Sequence, residues 1–175
     1  MIVIRTAERR DATALLDLKH TLDQTTTNML LEVGERQSTV AAVETEIDTI
    51  LGRSRSTLLV AMDANLMVGY GEAVGGQFQR NAHSAMIVMG VRGTHRNLGV
   101  GGGLLRGLTH WADVTRMERL ELTVQQRNRS AIRLYQRHGF HVEGYRRRSL
   151  LVEGQWVDEL AMARFAPPPV EGSNG

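Results

Sequence analysis

The segment Arg96–Leu105, RNLGVGGGLL, has four glycines within five positions and then becomes apolar. It follows Met86–Val91 (MIVMGV), a short run whose uninterrupted apolar character predicts a β-strand covered on both faces. After the glycines, apolar residues continue at helical spacing, at Leu104, Leu105, Leu108 and Trp111. The sequence therefore predicts a strand that leads into a helix through a glycine-rich turn. Backbone N–H groups at such a helix start bind anions, so this segment is a candidate anion site.

Two common phosphate-binding loops fit this segment poorly. A nucleoside-triphosphate loop ends in Gly-Lys-Ser/Thr, because its lysine contacts the phosphates and its hydroxyl contacts magnesium. Here the glycines are followed by Leu104 and Leu105, which excludes that class. A dinucleotide-binding loop needs its third glycine at the position of Leu104, and it belongs to the first strand–helix–strand unit of its domain. This segment lies past the middle of the chain, which disfavours the second class.

The rest of the chain alternates between strand and helix patterns. Strands are predicted over 2–5, 57–62, 66–73 and 119–125, with a final hairpin over 141–165 that turns at 152–155. Helices are predicted after Asp11 and Ser38, and after Asn128 or Ser130, which are all residues that cap helices. This order predicts one mixed α+β domain over residues 1–165. The last residues, 166–175 (APPPVEGSNG), have the composition of a flexible tail.

Composition excludes several classes of function. The 175 residues include no cysteine, so disulfides, thiolate metal sites and cysteine nucleophiles are excluded. The histidines form no metal-ligand pair, and we expect no metal. The formal net charge is only +2, and the arginines from Arg127 to Arg148 are more typical of a solvated helix face than of a nucleic-acid interface. No apolar run is long enough to cross a membrane and the N-terminus lacks a signal-peptide pattern, so we expect a cytoplasmic protein with neither a nucleic-acid nor a membrane partner.

Four motifs together resemble the GNAT superfamily of N-acetyltransferases. The family's acyl-CoA loop, Arg/Gln-x-x-Gly-x-Gly/Ala, is matched by Arg96–Gly101. Its opening segment is matched by Ile4–Ala12 (IRTAERRDA), and its late asparagine–tyrosine motif by Asn128–Phe140 (NRSAIRLYQRHGF). Glu153–Asp158 (EGQWVD) resembles a hairpin motif of one broad bacterial subgroup of small-molecule amine acetyltransferases. The likeness covers nearly the whole chain up to the tail. It implies a mixed, mostly antiparallel twisted sheet flanked by about four helices.

The resemblance implies a reaction as well as a fold. Family members transfer an acetyl group from acetyl-CoA directly to a primary amine, without a metal. For this chain we expect a small-molecule amine, such as an amino acid or a polyamine. The alternatives are a protein N-terminal or lysine acetyltransferase and an acyl-CoA sensor without turnover; a homodimer is left open. Because the amine must lose a proton and the leaving thiolate must gain one, the site needs a base and an acid.

The family motifs also imply which residues contact the cofactor. The strand before the loop supplies backbone groups to the cofactor arm and the thioester carbonyl, the loop holds the pyrophosphate, and the motif asparagine contacts the arm. In this sequence those positions are Met89, Gly90, Val91, Arg96, Asn97, Leu98, Gly99, Val100, Gly101, Gly102 and Asn128. Gly102 and Gly103 exceed what the loop motif requires, and close approach of either a ligand or a strand would explain them.

The implied acid is better defined than the base. Tyr135 matches the family tyrosine that protonates the leaving thiolate. The strand Met86–Val91 has no carboxylate, and Thr123 stands where one group of the family has its glutamate. Glu121 lies two residues earlier on the same strand face, and we take it as the candidate base, acting through water. Glu72 is the second candidate. Either carboxylate can instead pair with a neighbouring arginine.

The acceptor amine is the least defined part of the prediction. By resemblance, it contacts the connection Thr25–Gln37 and the hairpin segment Arg146–Asp158. Glu32 and Glu35 in the first segment suit a cationic amine. The three arginines at 146–148 in the second suit a substrate carboxylate. These two features indicate different substrates, and the sequence does not choose between them.

Overall fold

The computed structural model describes residues 1–166, so the predicted tail lies outside the described residues except for Ala166. Within that range the chain forms seven strands and four α-helices. The strands are β1 (Ile2–Thr6), β2 (Ser56–Asp63), β3 (Leu66–Gly75), β4 (Ser84–Val91), β5 (Arg119–Gln125), β6 (His141–Val152) and β7 (Gln155–Phe165). The helices are α1 (Ala12–Thr25), α2 (Val40–Leu51), α3 (Val100–Val114) and α4 (Arg129–Arg137).

The strands form one sheet in the order β1-β2-β3-β4-β5-β7-β6. Neighbouring strands are antiparallel except β4 and β5, which are parallel. The β4–β5 pairing covers only Ser84–Met86 against Arg119–Glu121. Beyond Met86 the two strands separate, while β4 stays paired with β3 and β5 with β7. The predicted mixed, mostly antiparallel sheet with four helices is confirmed.

Helices cover the two faces of the sheet unequally. On one face α3 buries Leu104, Leu105 and Leu108 in a core that extends to β5 and β7. On the opposite face α1 and α2 pack over β2 and β3, with Leu15, Leu18 and Ile47 fully buried. Each buried leucine contributes roughly 2 kcal/mol, so both helix layers are firmly attached. We call the face of the sheet that carries α1 and α2 the acceptor face.

The prediction that β4 is covered on both faces is wrong. Ala85 and Ile87 pack beneath α3, but Met86 and Val88 are 42% and 40% exposed on the acceptor face. The reason is that α1 and α2 lie mainly over β2 and β3 and leave much of β4 open. A strand that is apolar on both faces therefore has one core face and one open apolar face.

The extra glycines of α3 are explained by helix–sheet packing. A Cβ at Gly103 would clash with Cδ1 of Ile4 on β1, and one at Gly107 would lie 2.6 Å from Cδ1 of Leu59 on β2. These two residues are one helical turn apart, so they face the same side of α3. Gly103 is therefore explained by the close approach of a strand, one of the two reasons that the sequence left open.

Asp11 occupies the position that precedes α1, but its side chain does not cap the helix as predicted. Its carboxylate accepts hydrogen bonds from Arg5 at 2.7 and 2.8 Å and from the N–H of Glu8 at 2.7 Å. The Arg5 hydrogen bond holds the pKa of Asp11 below its usual range. Asp11 thus fixes the corner between β1 and α1. The predicted cap of α4 is present, because Asn128 Oδ1 accepts from the N–H of Ala131.

Candidate active site

Two helices begin at the same edge of the sheet. Because β4 and β5 are parallel, their carboxyl ends lie at one edge, and α3 follows β4 as α4 follows β5. The start of α3 touches the middle of α4, since a Cβ at Gly101 would lie 3.1 Å from Cδ2 of Leu134. The glycine loop and the asparagine–tyrosine motif, which are separate in sequence, therefore meet where β4 and β5 diverge.

The loop presents a row of free amides. Within the described residues, the backbone N–H groups from Asn97 to Gly102 donate no hydrogen bond. Asn97 and Gly99 have φ angles of 63° and 82°, and this left-handed conformation turns successive N–H groups in one direction. Residues 96–99 are exposed to solvent. We call residues 96–102 the anion cradle, because exposed amides at a helix start bind multiply charged anions.

Two basic side chains beside the anion cradle were missed by sequence reasoning. A Cβ at Gly102 would lie 3.5 Å from Nη1 of Arg106 and 3.9 Å from Cε1 of His138. Arg106 makes no ion pair within residues 1–166, so its charge is available to an anion. Arg106 stands four residues after Gly102 on α3, and this helical spacing is a signal that could have found it.

The split between β4 and β5 leaves backbone groups of β4 without a strand partner. The N–H of Arg92 donates to the carbonyl of Val68 on β3, and backbone groups alternate along a strand. The groups of Met89 and Val91 therefore point towards β5, into the split. Those of Gly90 point towards β3 instead. Glycine at position 90 makes room for α1, because a Cβ there would lie 2.5 Å from Cδ1 of Leu22.

Asn128 has one end of its side chain engaged and one end free. Its Oδ1 accepts from Ala131 N–H at 3.3 Å and from the Ser130 hydroxyl at 3.1 Å, which caps α4. Its amide nitrogen donates no hydrogen bond within the described part of the chain. The cap and a ligand contact are therefore compatible, because they use different atoms.

Tyr135 lies on the buried side of α4. It is 9% exposed, and its ring centroid is 5.8 Å from that of Phe140. Burial raises the pKa of Tyr135 to about 12, so its hydroxyl keeps its proton at neutral pH. No side chain in the range 1–166 hydrogen-bonds that hydroxyl. The residue is thus a buried proton donor with a free hydroxyl.

Glu121, the first candidate base, is paired with an arginine. Nε of Arg119 is 2.8 Å from the Glu121 carboxylate, and the same guanidinium contacts Glu143 at 2.7 and 2.5 Å. The hydrogen bonds that Arg119 donates to Glu143 and Glu121 raise its pKa, so it stays charged. One oxygen of the Glu121 carboxylate is therefore already bound, at the last residue that pairs with β4.

Glu72, the second candidate, is shielded but unpaired. It lies opposite Val88 in the β3–β4 register, on the acceptor face. Within the described residues it forms neither a hydrogen bond nor an ion pair. Burial raises the pKa of Glu72, and the nearby Lys19 partly offsets this effect. A carboxylate with a raised pKa accepts a proton more readily near neutral pH, as a general base must.

Other charged groups around Glu72 are paired with one another. Nζ of Lys19 on α1 is 2.6 Å from Oε1 of Glu46 on α2. Arg36, in the connection between these helices, contacts Asp23 through two hydrogen bonds of 2.5 and 3.0 Å. The Asp23 side chain is only 3% exposed, so this ion pair fixes the connection against α1. Glu72 is left as the carboxylate without a cationic partner.

The charged side chains that the sequence predicts to contact the acceptor are exposed or paired with other residues. Glu35 accepts a hydrogen bond from the N–H of Glu32, and both residues are exposed. Arg146 is paired with Glu159 at 3.3 Å, whereas Arg147 and Arg148 are exposed on β6. None of these side chains is buried beside Glu72.

Two pockets of the described residues adjoin near the amino end of β4, where Gly75 and Gly76 line both. One of about 180 Å³ lies on the acceptor face and is lined by Val74, Gly75, Gly76, Asn81, Ser84, Met86 and Glu121. A larger one, of about 400 Å³ at residues 52–56 and 75–77, lies at the amino end of β4, away from the anion cradle. Of the candidate side chains only Glu121 lines the smaller pocket, so neither pocket contains the anion cradle or Glu72.

No cluster of three or more His, Cys, Asp or Glu side chains suited to a metal ion occurs within residues 1–166. None of the helices in that range has the length and hydropathy needed to cross a bilayer.

Comparison with known proteins identifies the family. The model of the family described as Acetyltransferase (GNAT) family matches residues 21–140. The chain belongs to the GNAT acetyltransferase family. This match includes β4, the anion cradle and the Tyr135 motif, so the resemblance inferred from the motifs is confirmed. In the GNAT domain, the split between β4 and β5 and the adjoining start of α3 remain the candidate site.

Individual relatives of the GNAT domain differ in how much of the chain they match. The L-amino acid N-acetyltransferase AaaT of Escherichia coli is 36% identical over 89 residues, which cover 50% of this chain and 55% of the relative. A GNAT acetyltransferase from Streptococcus pneumoniae is 26% identical, with a TM-score of 0.91 over 95% of this chain and 100% of that one. A phosphinothricin acetyltransferase from Sinorhizobium meliloti, solved with acetyl-CoA, has 20% identity and a TM-score of 0.84 over 98% and 94% of the two chains.

Proposed function

We propose that this protein is an acetyl-CoA-dependent N-acetyltransferase that acetylates the primary amine of a small molecule. The observation on which the proposal rests is the row of free amides in the anion cradle, placed where β4 and β5 separate. The GNAT family match supports the reaction class, and the name of the Escherichia coli relative supports an amino acid as acceptor.

The donor half of the site suits a coenzyme A thioester. The free N–H groups from Asn97 to Gly102, with the charges of Arg96 and Arg106, suit a pyrophosphate. The unpaired backbone groups of Met89 and Val91 suit the amides of an extended arm, which would complete the strand pairing lost in the split. When bound, acetyl-CoA supplies an activated acetyl group as a thioester. Acetyl-CoA bound by a neighbour of the same fold, from Sinorhizobium meliloti, supports this donor.

The acceptor half of the site suits a cationic amine. An amine is mostly protonated at neutral pH, and the unpaired Glu72 carboxylate attracts an ammonium group. Glu72 then removes a proton from that group, directly or through one water, and leaves the amine able to attack. We propose Glu72 rather than Glu121 as the base because Arg119 already binds the Glu121 carboxylate. Glu121 stays the alternative, and the variants described in the Discussion separate the two.

Tyr135 is the proposed acid. Its buried hydroxyl is protonated at neutral pH and has no partner among the described residues, so it is free to donate to a departing thiolate. A thiol is a stronger acid than tyrosine, with a usual pKa of about 8.5. Full proton transfer from Tyr135 is therefore uphill. We propose that a hydrogen bond from its hydroxyl stabilises the developing thiolate before the proton moves.

The acceptor face favours an amine that also has an apolar part. Met86 and Val88 form an exposed apolar surface next to Glu72 in the strand register. An amino acid with an apolar side chain provides both an ammonium group and a matching apolar surface. A polyamine provides a second positive charge, for which the pocket offers Glu121, already paired with Arg119. We therefore propose amino acids as the first acceptor class.

The test is a thiol-release assay with acetyl-CoA and a panel of amines, read out with the mass of the acetylated product. The panel contains apolar, polar and acidic amino acids, polyamines, and peptides with free N-termini or lysines. We expect acetyl-CoA to raise the melting temperature and apolar amino acids to have the highest kcat/KM. If acetyl-CoA does not change the melting temperature, the proposed reaction is contradicted. If only peptides are acetylated, the small-molecule part is contradicted.

A further inference from the structure

We propose that Lys19 and Glu46 are positioning residues with opposite electrostatic effects on Glu72, and that together they keep its carboxylate ready to take a proton from the amine. This inference rests on the proposed role of Glu72 in acetyl transfer. Neither residue is expected to touch the substrate. Lys19 supplies a positive charge near Glu72 and Glu46 a negative one, and their ion pair fixes where both charges lie.

The ion pair lies against the strand that holds Glu72. Nζ of Lys19 is 2.6 Å from Oε1 of Glu46 and 5.5 Å from the ring centroid of Tyr70. Tyr70 and Glu72 are two residues apart on β3, so their side chains leave the same face of the sheet. The ammonium of Lys19 therefore lies above β3, on the side of the sheet where the Glu72 carboxylate is found.

Burial makes these charges effective. The Lys19 side chain is 8% exposed and that of Glu46 is 35% exposed, so the lysine end of the pair is largely removed from solvent. Charges interact more strongly in such surroundings than in water. Burying a lysine with one carboxylate partner costs desolvation free energy. The ion pair can offset this cost by joining α1 to α2, by its effect on Glu72, or by both. The experiment must separate these two roles.

The other charged groups near Glu72 do not provide the same effect. Asp23 on α1 is neutralised by Arg36 from the connection between the helices. On β5, Glu121 is neutralised by Arg119. Tyr70 on β3 is neutral, because burial raises its pKa well above the usual range. Lys19 and Glu46 are therefore the groups whose removal should change the charge balance at Glu72.

The direction of each effect follows from charge. Burial is the main reason that the pKa of Glu72 is raised; Lys19 lowers this pKa and Glu46 raises it. Acetyl transfer needs the ionised Glu72, so the rate rises as pH increases through this pKa. Lys19→Met should move that acid limb to higher pH, and Glu46→Gln should move it to lower pH. At a pH on the acid limb of the profile, Glu46→Gln should be the fastest, wild type intermediate and Lys19→Met the slowest.

The experiment measures the pKa of Glu72 in two ways. The first is the pH profile of kcat/KM for wild type, Lys19→Met and Glu46→Gln with the best amine. The second is an NMR titration of carboxyl carbons in ¹³C-glutamate-labelled protein, with the Glu72 signal assigned by its loss in Glu72→Gln. The NMR titration does not depend on activity, so it tests the inference even if the proposed reaction fails. Circular dichroism and melting curves check that each variant is folded.

Opposite shifts of the limb and of the Glu72 titration in the two variants would support the inference. Between the variants we expect a difference of about three- to tenfold in rate at a pH on the limb. Unchanged titration of Glu72 in both variants, or shifts in the same direction, would overturn it even if the melting temperature falls. If Lys19→Met does not fold, Glu46→Gln decides alone, since Glu46 is partly exposed and glutamine has the same shape: a downward shift supports the inference and no shift overturns it.

Discussion

The anion cradle consists of backbone amides from one short segment, whereas the charged groups around Glu72 are side chains from α1, α2, β3 and the connection between the helices. The anion cradle is contiguous in sequence, so it depends on local backbone conformation and on glycine at a few positions. The cluster around Glu72 depends on how distant elements pack. Substitutions in the two regions should therefore affect different constants: the affinity for acetyl-CoA on one side, and turnover or the amine KM on the other.

The largest effect on acetyl-CoA affinity is expected at Gly101. A Cβ there would already lie 3.1 Å from Leu134, and the larger valine side chain would cover the amides of the anion cradle. Gly101→Val should weaken acetyl-CoA binding by more than about 100-fold, measured by calorimetry. Gly144→Ala on β6, where a Cβ meets nothing within 4 Å, is the matched control and should bind normally. Normal acetyl-CoA affinity in Gly101→Val would show that the anion is bound elsewhere.

The next effect separates the two carboxylates. Glu72→Gln should lower kcat by about 1,000-fold, because it removes the proposed base, while the Kd for acetyl-CoA stays unchanged. Glu121→Gln is the matched variant and should lower kcat by less than about tenfold, because Glu121 is bound to Arg119. Both values come from steady-state kinetics with a saturating amine. The reverse order of the two losses would make Glu121 the base.

Tyr135→Phe should have a smaller effect on the same constant. Loss of the hydroxyl should lower kcat by about 100-fold and leave the Kd for acetyl-CoA within about twofold of wild type. Phenylalanine keeps the ring contact with Phe140, so the melting temperature should hardly change. Equal losses in turnover and in cofactor affinity would indicate that Tyr135 has a structural role.

The smallest effect is expected in the connection between α1 and α2. Arg36→Met leaves the buried Asp23 carboxylate unpaired, which should lower the free energy of unfolding by about 3 kcal/mol. The loosened connection should raise the amine KM by about fivefold without changing acetyl-CoA affinity. Arg9→Met removes an exposed arginine that pairs with Glu44 and Asp48, and it should lower the free energy of unfolding far less than Arg36→Met does. An unchanged amine KM in Arg36→Met would remove the connection from the acceptor side.

The same contrast explains what could be predicted from the sequence. The strand, the anion cradle and the motif with Asn128 and Tyr135 are contiguous, so residue types and spacing were sufficient to find them. The open face of β4 was not predictable, because the exposure of Met86 and Val88 depends on where α1 and α2 end over the sheet.

Charge pairing was equally hidden in the sequence. The sequence placed Glu121 and Glu72 on neighbouring strands, but it could not show that Arg119 binds the first. It also could not show that the second is shielded by α1 and left unpaired. In the same way, glycine is needed at position 103 because β1 packs against α3, and the sequence could not show this contact.

The most direct test of amine activation by Glu72 is a crystal structure with a bisubstrate analogue, in which coenzyme A is joined to the nitrogen of the best amine. We expect the pyrophosphate on the amides of Asn97–Gly102 and the amine nitrogen about 3 Å from the Glu72 carboxylate, or one water away. An amine nitrogen next to Glu121 and remote from Glu72, or a pyrophosphate outside the anion cradle, would contradict this expectation.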